Sequence, residues 1–312
     1  MANIGYIQVT RQCNQKCIIC SNPPVEKTLS LKKAKEQVDL LIEDGSDGII
    51  FSGGEPTVWE FLPELIAYAV DKDIACRITT NGQKTSDDKY LKRLLDAGLK
   101  HINISIFSHK KEVQDRIARN PGSLKNILKT MDLLKNVEEV NVDANIAIFK
   151  HNAGHIAQLV KFLVNKYPYI YHFSFNNLDP KTGRVPDNPD TIPRLNDIEL
   201  SLYKAFNFIE KTKRTFRVSR VPLCYMAGFE HCSMETRKIV KNETRSLIFL
   251  DERGKYEQKG FFYDKGKCCE VCFVKEICAG LYCMGDCYFE EELYPLFISP
   301  EKIRSLILNG EN

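Results

Sequence analysis

The sequence lacks the features that would assign it to a membrane, secreted or nucleic-acid-binding class. No apolar run is long enough to span a bilayer, and the N-terminus has neither the basic nor the apolar region of a secretion signal. The 44 basic and 41 acidic residues leave a formal net charge of only +3, which gives no strong attraction to DNA or to anionic membranes. We therefore expect a cytoplasmic protein that binds neither DNA nor membranes.

Cysteine is the residue that the sequence has in excess. Twelve cysteines occur in 312 residues, and a disulfide scaffold is not expected at this length in a compartment where thiols stay reduced. Three of them lie near the N-terminus and eight between residues 224 and 287, with Cys76 alone between the two groups. Clustering of this kind indicates metal ligation. Cys76 lies in a strand pattern and is interpreted as a buried small hydrophobe.

The N-terminal group is Cys13, Cys17 and Cys20, with the spacing C-x3-C-x2-C. Three thiolates on one short loop can hold three irons of a cubane cluster and leave the fourth iron open for a substrate or cofactor. Two alternatives stay open on spacing alone. One is a zinc site whose fourth ligand, such as a histidine, lies elsewhere; the other is three ordinary buried cysteines.

A second motif follows at residues 49–56, where an apolar strand runs into two glycines, a carboxylate and a proline. Gly53 and Gly54 permit a close approach of the backbone to a ligand. Glu55 is suited to accept hydrogen bonds from a cationic amine.

The two motifs, in this order and ~35 residues apart, resemble those of radical SAM enzymes. The resemblance implies that the cysteine loop holds a [4Fe–4S] cluster whose open iron binds S-adenosylmethionine (SAM). It also implies that Gly53, Gly54 and Glu55 hold the methionyl amine of SAM. The expected chemistry is reductive cleavage of SAM to a 5′-deoxyadenosyl radical, which takes a hydrogen atom from the substrate.

The rest of the N-terminal half alternates between strand and helix patterns. Six strands are predicted near residues 5–10, 49–52, 74–80, 101–107, 140–149 and 170–175. Helices are predicted near residues 30–43, 61–70, 87–97, 123–135, 153–165 and 197–213. This alternation predicts an α/β fold with a parallel sheet, and six units suit a partial (β/α)6 barrel. Both motifs then fall at the carboxyl ends of strands, where parallel sheets bind ligands.

Further candidates for SAM binding follow the same logic. The stretch from Ser105 to Ser123 resembles the segment of peptide-modifying radical SAM enzymes in which a serine contacts SAM and an arginine binds its carboxylate. That arginine is Arg119 or Arg116. Asn145, inside the fifth strand, is a candidate for the SAM ribose, although a structural partner would also satisfy it. No catalytic base is assigned.

Two segments after the sixth strand are interpreted from their composition and not from the family resemblance. Residues 176–193 are rich in proline and asparagine and predict a long irregular loop that shapes the substrate mouth. The basic stretch 211–217 is interpreted as a helix C-terminus, which favours cations, rather than as a nucleic-acid patch.

The second cysteine group resembles the SPASM and twitch extensions of radical SAM enzymes, which carry auxiliary [4Fe–4S] clusters. Its candidate ligands are Cys224, Cys232, Cys268, Cys269, Cys272, Cys278, Cys283 and Cys287. Eight thiols match two clusters, and we expect two auxiliary clusters; one cluster with spare thiols or a zinc ribbon also fits. Cys268 is the weakest candidate, because adjacent cysteines rarely reach one metal. We expect a barrel over residues 1–215 and a small cysteine-rich α+β domain over residues 216–312, with a hairpin around residues 251–254.

The resemblance implies oxidative modification or crosslinking of a ribosomally made peptide, with flavodoxin or ferredoxin as reductant. The first cluster cysteine is residue 13, so a leader peptide is expected to be held by a separate protein or another surface. An enzyme that acts on a small molecule or nucleoside is the alternative within enzymes. A non-catalytic iron–sulfur or zinc protein is the alternative from another class.

Overall fold

A computed structural model describes residues 4–250 and 254–310. The described residues form nine strands and nine α-helices. The strands are β1 (Ile4–Thr10), β2 (Gly48–Gly53), β3 (Ala75–Thr80), β4 (His101–Ser105), β5 (Asn141–Ile148), β6 (His172–Asn177), β7 (Thr215–Ser219), β8 (Arg245–Ile248) and β9 (Lys255–Gln258). The helices are α1 (Leu31–Glu43), α2 (Leu62–Val70), α3 (Asp88–Asp96), α4 (Lys111–Ala118), α5 (Ser123–Leu134), α6 (Ile156–Lys166), α7 (Leu195–Lys211), α8 (Met234–Lys241) and α9 (Pro300–Leu308). None of these helices is both long and apolar enough to cross a membrane.

The predicted parallel α/β sheet is confirmed. The strand order is β7-β6-β5-β4-β3-β2-β1-β8-β9, and every neighbouring pair from β7 to β8 is parallel. All six predicted strands and all six predicted helices are present, with ends shifted by up to three residues. Ser30 caps α1, because its side chain accepts a hydrogen bond from the backbone N–H of Lys33.

A seventh strand was missing from the prediction. The basic stretch 211–217 is a helix end only at its start: α7 stops at Lys211, Lys213 has a positive φ of 56°, and β7 begins at Thr215. Phe216 and Val218 supply the reason, since both are buried and continue the apolar layer of β6. β7 runs across the predicted domain boundary at residues 215/216, and that boundary stays a prediction.

The predicted hairpin in the cysteine-rich half is present as β8 and β9, which pair antiparallel. Residues 251–253 of its turn lie outside the described residues. β8 pairs in parallel with β1, so the hairpin extends the barrel sheet on the side away from β7.

The two faces of the sheet differ in character. Residues that point toward the helices, such as Ile104, Ile146 and Phe173, are fully buried in the main core. Residues that alternate with them are polar and half-buried, and they line a cavity of about 1190 Å³ inside the barrel. A second, smaller apolar cluster joins the cysteine loop to later parts of the chain: Ile19, Ile117, Phe149, Leu178 and Val185.

Candidate active site

The three N-terminal cysteines lie on the loop that follows β1, and all three side chains are half-buried. Two N–H groups point toward the sulfur of Cys13: the backbone N–H of Gln15 at 3.4 Å and the Nδ2 of Asn81 at 3.7 Å. The loop is therefore placed at the carboxyl ends of β1 and β3, as the position of the motif predicted.

Contacts from α4 and α5 fix the shape of this loop. The backbone N–H groups of Lys16 and Ile18 donate to the carbonyls of Ala118 and Ile117, at 3.3 and 2.9 Å. The amide of Gln15, which is 4% exposed, donates to the hydroxyl of Ser123 at 3.0 Å. The helix that supplies the carbonyls, α4, was not predicted, because its eight residues lack a side-chain N-cap.

The two glycines at the end of β2 are required by the cysteine loop itself. The N–H groups of Gly54 and Glu55 donate to the carbonyls of Thr10 and Gln12, each at 2.8 Å. A β-carbon on Gly54 would lie 2.3 Å from the Gln12 oxygen, and one on Gly53 would lie 1.9 Å from the Thr10 oxygen. The close backbone approach that the glycines predicted is therefore made, in this structure, by residues 10–12 of the chain.

Glu55 is a buried carboxylate, 1% exposed, that joins β2 to β3. Its Oε1 accepts from the N–H and hydroxyl of Thr57, at 3.1 and 2.7 Å, and from the hydroxyl of Thr80 at 2.7 Å. Its Oε2 accepts from the N–H of Asn81 at 2.7 Å. Burial raises the pKa of Glu55 and the hydrogen bonds oppose that rise. Four donors from the chain satisfy much of this carboxylate, so its contact with the SAM amine stays a prediction.

The chemistry of the three thiols fits a cationic cluster. Burial raises the pKa of Cys13 to about 11 and that of Cys17 to about 12, and it also raises the pKa of Cys20. The neighbouring thiols and, for Cys13, Glu55 add to the rise. Thiols held in this way ionise when a positively charged metal centre compensates them.

The long loop after β6 lies against the cysteine loop. The N–H of Arg184 donates to the carbonyl of Cys20 at 2.9 Å, and its Nη1 donates to the carbonyl of Cys17 at 3.2 Å. A β-carbon on Gly183 would lie 2.0 Å from the Cys20 oxygen. The positive charge of Arg184 lowers the pKa of Cys17 and Cys20 against the larger effect of burial. The loop was predicted to shape the substrate mouth, and its contact with the cysteine loop was not predicted.

The remaining SAM candidates lie at the same edge of the sheet. Asn145 donates to the hydroxyl of Ser105 at 3.4 Å and accepts from the amide of Asn176 at 2.7 Å, so the three form a chain across β4, β5 and β6. Arg119 is exposed, has a positive φ of 47°, and directly follows Ala118, which binds the cysteine loop. The roles of these residues toward SAM stay predictions.

Four C-terminal thiols line one small cavity: Cys224, Cys269, Cys272 and Cys278. The N–H of Leu296 donates to the sulfur of Cys272 at 3.3 Å, and that of Gly280 donates to Cys278 at 3.4 Å. Burial raises the pKa of Cys224 to about 12 and also raises that of Cys278. Across the described residues, no three His, Cys, Asp or Glu side chains converge closely enough to hold a single metal ion.

The other four C-terminal cysteines, Cys232, Cys268, Cys283 and Cys287, are absent from the lining of this cavity. Cys287 raises the pKa of Cys283, and both thiols have Asp179 and Lys181 as charged neighbours. Burial raises the pKa of Cys232 to about 11, and the charges of Arg217 and Arg237 oppose that rise. Cys76, in β3, is 4% exposed, as its interpretation as a buried hydrophobe predicted.

Comparison with known proteins decides the family. Residues 7–163, about half of the chain, match the model of the radical SAM superfamily. The chain belongs to the radical SAM superfamily. Its enzymes use SAM and a [4Fe–4S] cluster, so the predicted enzyme class and cofactors are confirmed at the level of the family.

Two curated relatives of this radical SAM protein act on different substrates. The Fe-coproporphyrin III synthase of Methanosarcina barkeri is 33% identical over 174 residues, which is 54% of this chain and 43% of the relative. The PqqA peptide cyclase of Granulibacter bethesdensis is 31% identical over 158 residues, 49% of this chain and 42% of the relative. The chain therefore spans less than half the length of both.

A solved structure agrees with the fold over a longer part of the chain. The crystal structure of Streptococcus suis SuiB bound to its precursor peptide SuiA superposes with a TM-score of 0.62 at 16% identity. The match covers 80% of this chain and 58% of SuiB. At this identity the likeness shows the fold alone.

Sequence reasoning missed three contributors to this site: Asn81, Gln15 and Arg184. The signal for Asn81 was present, since a polar residue ended the third strand next to the two motif loops. Gln15 lay inside the cysteine motif, but its partner Ser123 is 108 residues away. No local sequence pattern pointed to Arg184, because the carbonyls that it binds are distant in sequence and only the fold brings them close.

We expect Arg184→Gln to lower the reduction potential of the cluster at the cysteine loop by ~50 mV, about 1 kcal/mol for one electron. A cation near the thiolates stabilises the reduced, more negative state, and glutamine removes that charge. Potentiometric titration followed by electron paramagnetic resonance measures the shift. Lys181→Gln is the control, since it removes an exposed charge of the same loop that pairs with Asp286. Equal potentials in the wild type and Arg184→Gln would show that the guanidinium does not act on the cluster.

Proposed function

We propose that this protein cleaves SAM at a cluster held by Cys13, Cys17 and Cys20 and uses the resulting radical to modify a ribosomally made peptide oxidatively. The observation that carries the proposal is the seating of a three-cysteine loop on the Gly53–Gly54–Glu55 segment at the carboxyl edge of the sheet. Three thiols supply one ligand fewer than a closed four-ligand site needs.

The cluster and SAM, when bound, supply the electron and the 5′-deoxyadenosyl radical. The chain's own residues orient and shield them. Gln15 and Asn81 fix the loop around Cys13. Arg184 donates hydrogen bonds to the carbonyls of Cys17 and Cys20 in the same loop. We assign Gly53, Gly54, Glu55, Ser105, Asn145 and Arg119 to the binding of SAM, on the basis of their position at this edge.

We propose one auxiliary [4Fe–4S] cluster, held by Cys224, Cys269, Cys272 and Cys278. These four thiols already surround one cavity, and two of them accept backbone N–H groups, a common feature of cluster ligands. The two-cluster alternative requires the remaining cysteines to meet. None of them lines this cavity, so they add no thiol to the four-cysteine site.

Iron counting tests this assignment. The wild type is expected to hold about 8 Fe per chain, against about 12 for two auxiliary clusters. Cys272→Ala should lower the count by about 4. Cys232→Ala is the matched control and should leave it unchanged, since its buried thiol lies outside the four-cysteine cavity. A count near 12, with a loss in Cys232→Ala, would restore the two-cluster alternative.

The peptide substrate is supported by a relative that cyclises a peptide and by a neighbour of the same fold that was solved with its precursor peptide. A separate leader-binding protein and a flavodoxin or ferredoxin reductant are part of the proposal. We place the protein in the cytoplasm, because its twelve cysteines include groups suited to clusters. The second candidate is an enzyme that acts on a small molecule or nucleoside. The sequence identity to the Fe-coproporphyrin III synthase favours it.

The test uses the anaerobically reconstituted full chain with SAM and dithionite. We expect 5′-deoxyadenosine, and we expect a short peptide encoded beside the gene to lose two hydrogens when it is added. One would leave as a hydrogen atom to the 5′-deoxyadenosyl radical and the other as a proton to solvent, and the remaining electron would pass to the auxiliary cluster. A zinc or electron-carrier protein would give no 5′-deoxyadenosine. Formation of 5′-deoxyadenosine, with turnover of a metabolite and not of the peptide, would select the second candidate.

A further inference from the structure

A row of charged and imidazole side chains crosses the inner face of the barrel, one from each of five strands. We call it the floor row: Arg77 (β3), His101 (β4), Asp143 (β5), His172 (β6) and Arg217 (β7). All five are half-buried and line the 1190 Å³ cavity. The strand register places Arg77 opposite His101 and Asp143 opposite His172.

A layer of neutral polar side chains lies between the floor row and the carboxyl edge that carries the cysteine loop. It contains Thr79, Asn103, Asn145, Ser174 and Ser219. The Oδ1 of Asn103 is buried and has no hydrogen-bond partner among the described residues. A buried acceptor without a partner costs free energy unless a ligand or water satisfies it. This layer is therefore suited to bind a polar molecule that donates a hydrogen bond.

The charges of the floor row do not cancel. The carboxylate of Asp143 is paired with His101 at 2.6 Å. Burial lowers the pKa of His172 to about 4, which keeps this imidazole neutral at neutral pH. Two arginines against one carboxylate leave a net charge of at least +1. The guanidinium of Arg77 makes no hydrogen bond or ion pair with the described part of the chain, whereas that of Arg217 donates to the carbonyl of Phe216 at 2.7 Å.

We propose that the floor row binds an anionic group of the substrate, a carboxylate or a phosphate, at the guanidinium of Arg77. Guanidinium groups favour such anions because they donate parallel hydrogen bonds to two oxygens. The neutral layer above then holds the polar part of the substrate that leads toward the cysteine loop. The inference deepens the proposed function, on which it rests, by stating the chemistry of the substrate.

Calorimetric titration of the full chain tests the site with small probes. Glutarate and inorganic phosphate are expected to bind, and glutaramide, the neutral counterpart of glutarate, is expected to bind at least about tenfold more weakly. Arg77→Gln should weaken glutarate binding at least about tenfold, and Arg77→Lys should weaken it less. Arg93→Gln, at an exposed position of α3, is the matched control and should bind like the wild type.

A measurement on the wild type tests the site even if Arg77→Gln does not fold. Phenylglyoxal modification of Arg77 in the wild type, followed by mass spectrometry, should be slowed by glutarate and not by glutaramide. Equal binding of the two probes, or equal modification of Arg77 with and without glutarate, would overturn the site.

The outcomes separate this inference from the proposed function. SAM cleavage by the reductant does not require an occupied floor row, so 5′-deoxyadenosine without anion binding would refute the anion site alone. Anion binding without 5′-deoxyadenosine would refute the radical chemistry alone. A later comparison of acidic peptides with carboxylate or phosphate metabolites, each competing with glutarate, distinguishes the two sources of the anion.

Discussion

Cys17→Ala is expected to reduce the formation of 5′-deoxyadenosine by more than about 100-fold, since even the outer partners of metal ligands cost 10–100-fold when removed. Cys17 lies at the centre of the cysteine loop. The N–H groups of its two neighbours, Lys16 and Ile18, donate to the carbonyls of residues 118 and 117. Alanine removes one of three ligands and leaves two, which cannot retain three irons of a cubane. Product analysis after anaerobic reconstitution measures the effect.

Cys76→Ala is the matched control for this result. It removes an equally small thiol from β3, where Cys76 is buried and packs in the main core. We expect this variant to keep its iron and its product formation. If Cys17→Ala forms 5′-deoxyadenosine at the wild-type rate, the cluster is not held by the N-terminal loop.

Gly54→Ala is expected to destabilise the protein by about 1–3 kcal/mol and to lower the iron bound at the cysteine loop. Its β-carbon would lie 2.3 Å from the Gln12 oxygen and 2.6 Å from the Arg11 oxygen. Both oxygens belong to backbone, so relief of the overlap must shift the residues that lead into Cys13. Thermal unfolding and iron analysis measure the two effects.

Gly154→Ala is the control for the glycine substitution. Gly154 is exposed, and a β-carbon there would meet no atom within 4 Å. Its unfolding temperature and iron content should match those of the wild type. If Gly54→Ala also matched the wild type, the glycines would not be required by the cysteine loop.

Local patterns predicted most of the barrel. The apolar periodicity of each segment predicted six strands and six helices in the right order. The position of each motif directly after a strand was enough to place both at one edge of the sheet. β7 was missed because its five residues follow a basic turn, and only its pairing with β6 identifies it as part of the sheet.

The sequence also carries a signal for the polar inner face of the barrel. In β4, and in β6 as far as Asn176, polar residues alternate with apolar ones, as in His101-Ile102-Asn103-Ile104-Ser105. A parallel strand buried on both faces would be apolar throughout, so this alternation indicates a polar lumen. The same alternation places His101 and His172 of the floor row on the lumen side of their strands.

Contacts between distant segments could not be predicted from one sequence. Arg184 reaches a carbonyl 167 residues earlier, and the thiol of Cys224 meets a cavity whose other cysteines begin at residue 269. Spacing predicted that these cysteines are ligands, but only the fold separates the four around the cavity from Cys232, Cys268, Cys283 and Cys287.

Electron paramagnetic resonance of the reduced protein, before and after the addition of SAM, tests the open iron most directly. The sample is the Cys272→Ala variant, which removes a ligand of the proposed auxiliary cluster and leaves the N-terminal loop intact. We predict a [4Fe–4S] signal whose shape changes when SAM is added. A cluster signal that SAM leaves unchanged, or a loop that holds zinc in place of iron, would contradict the account.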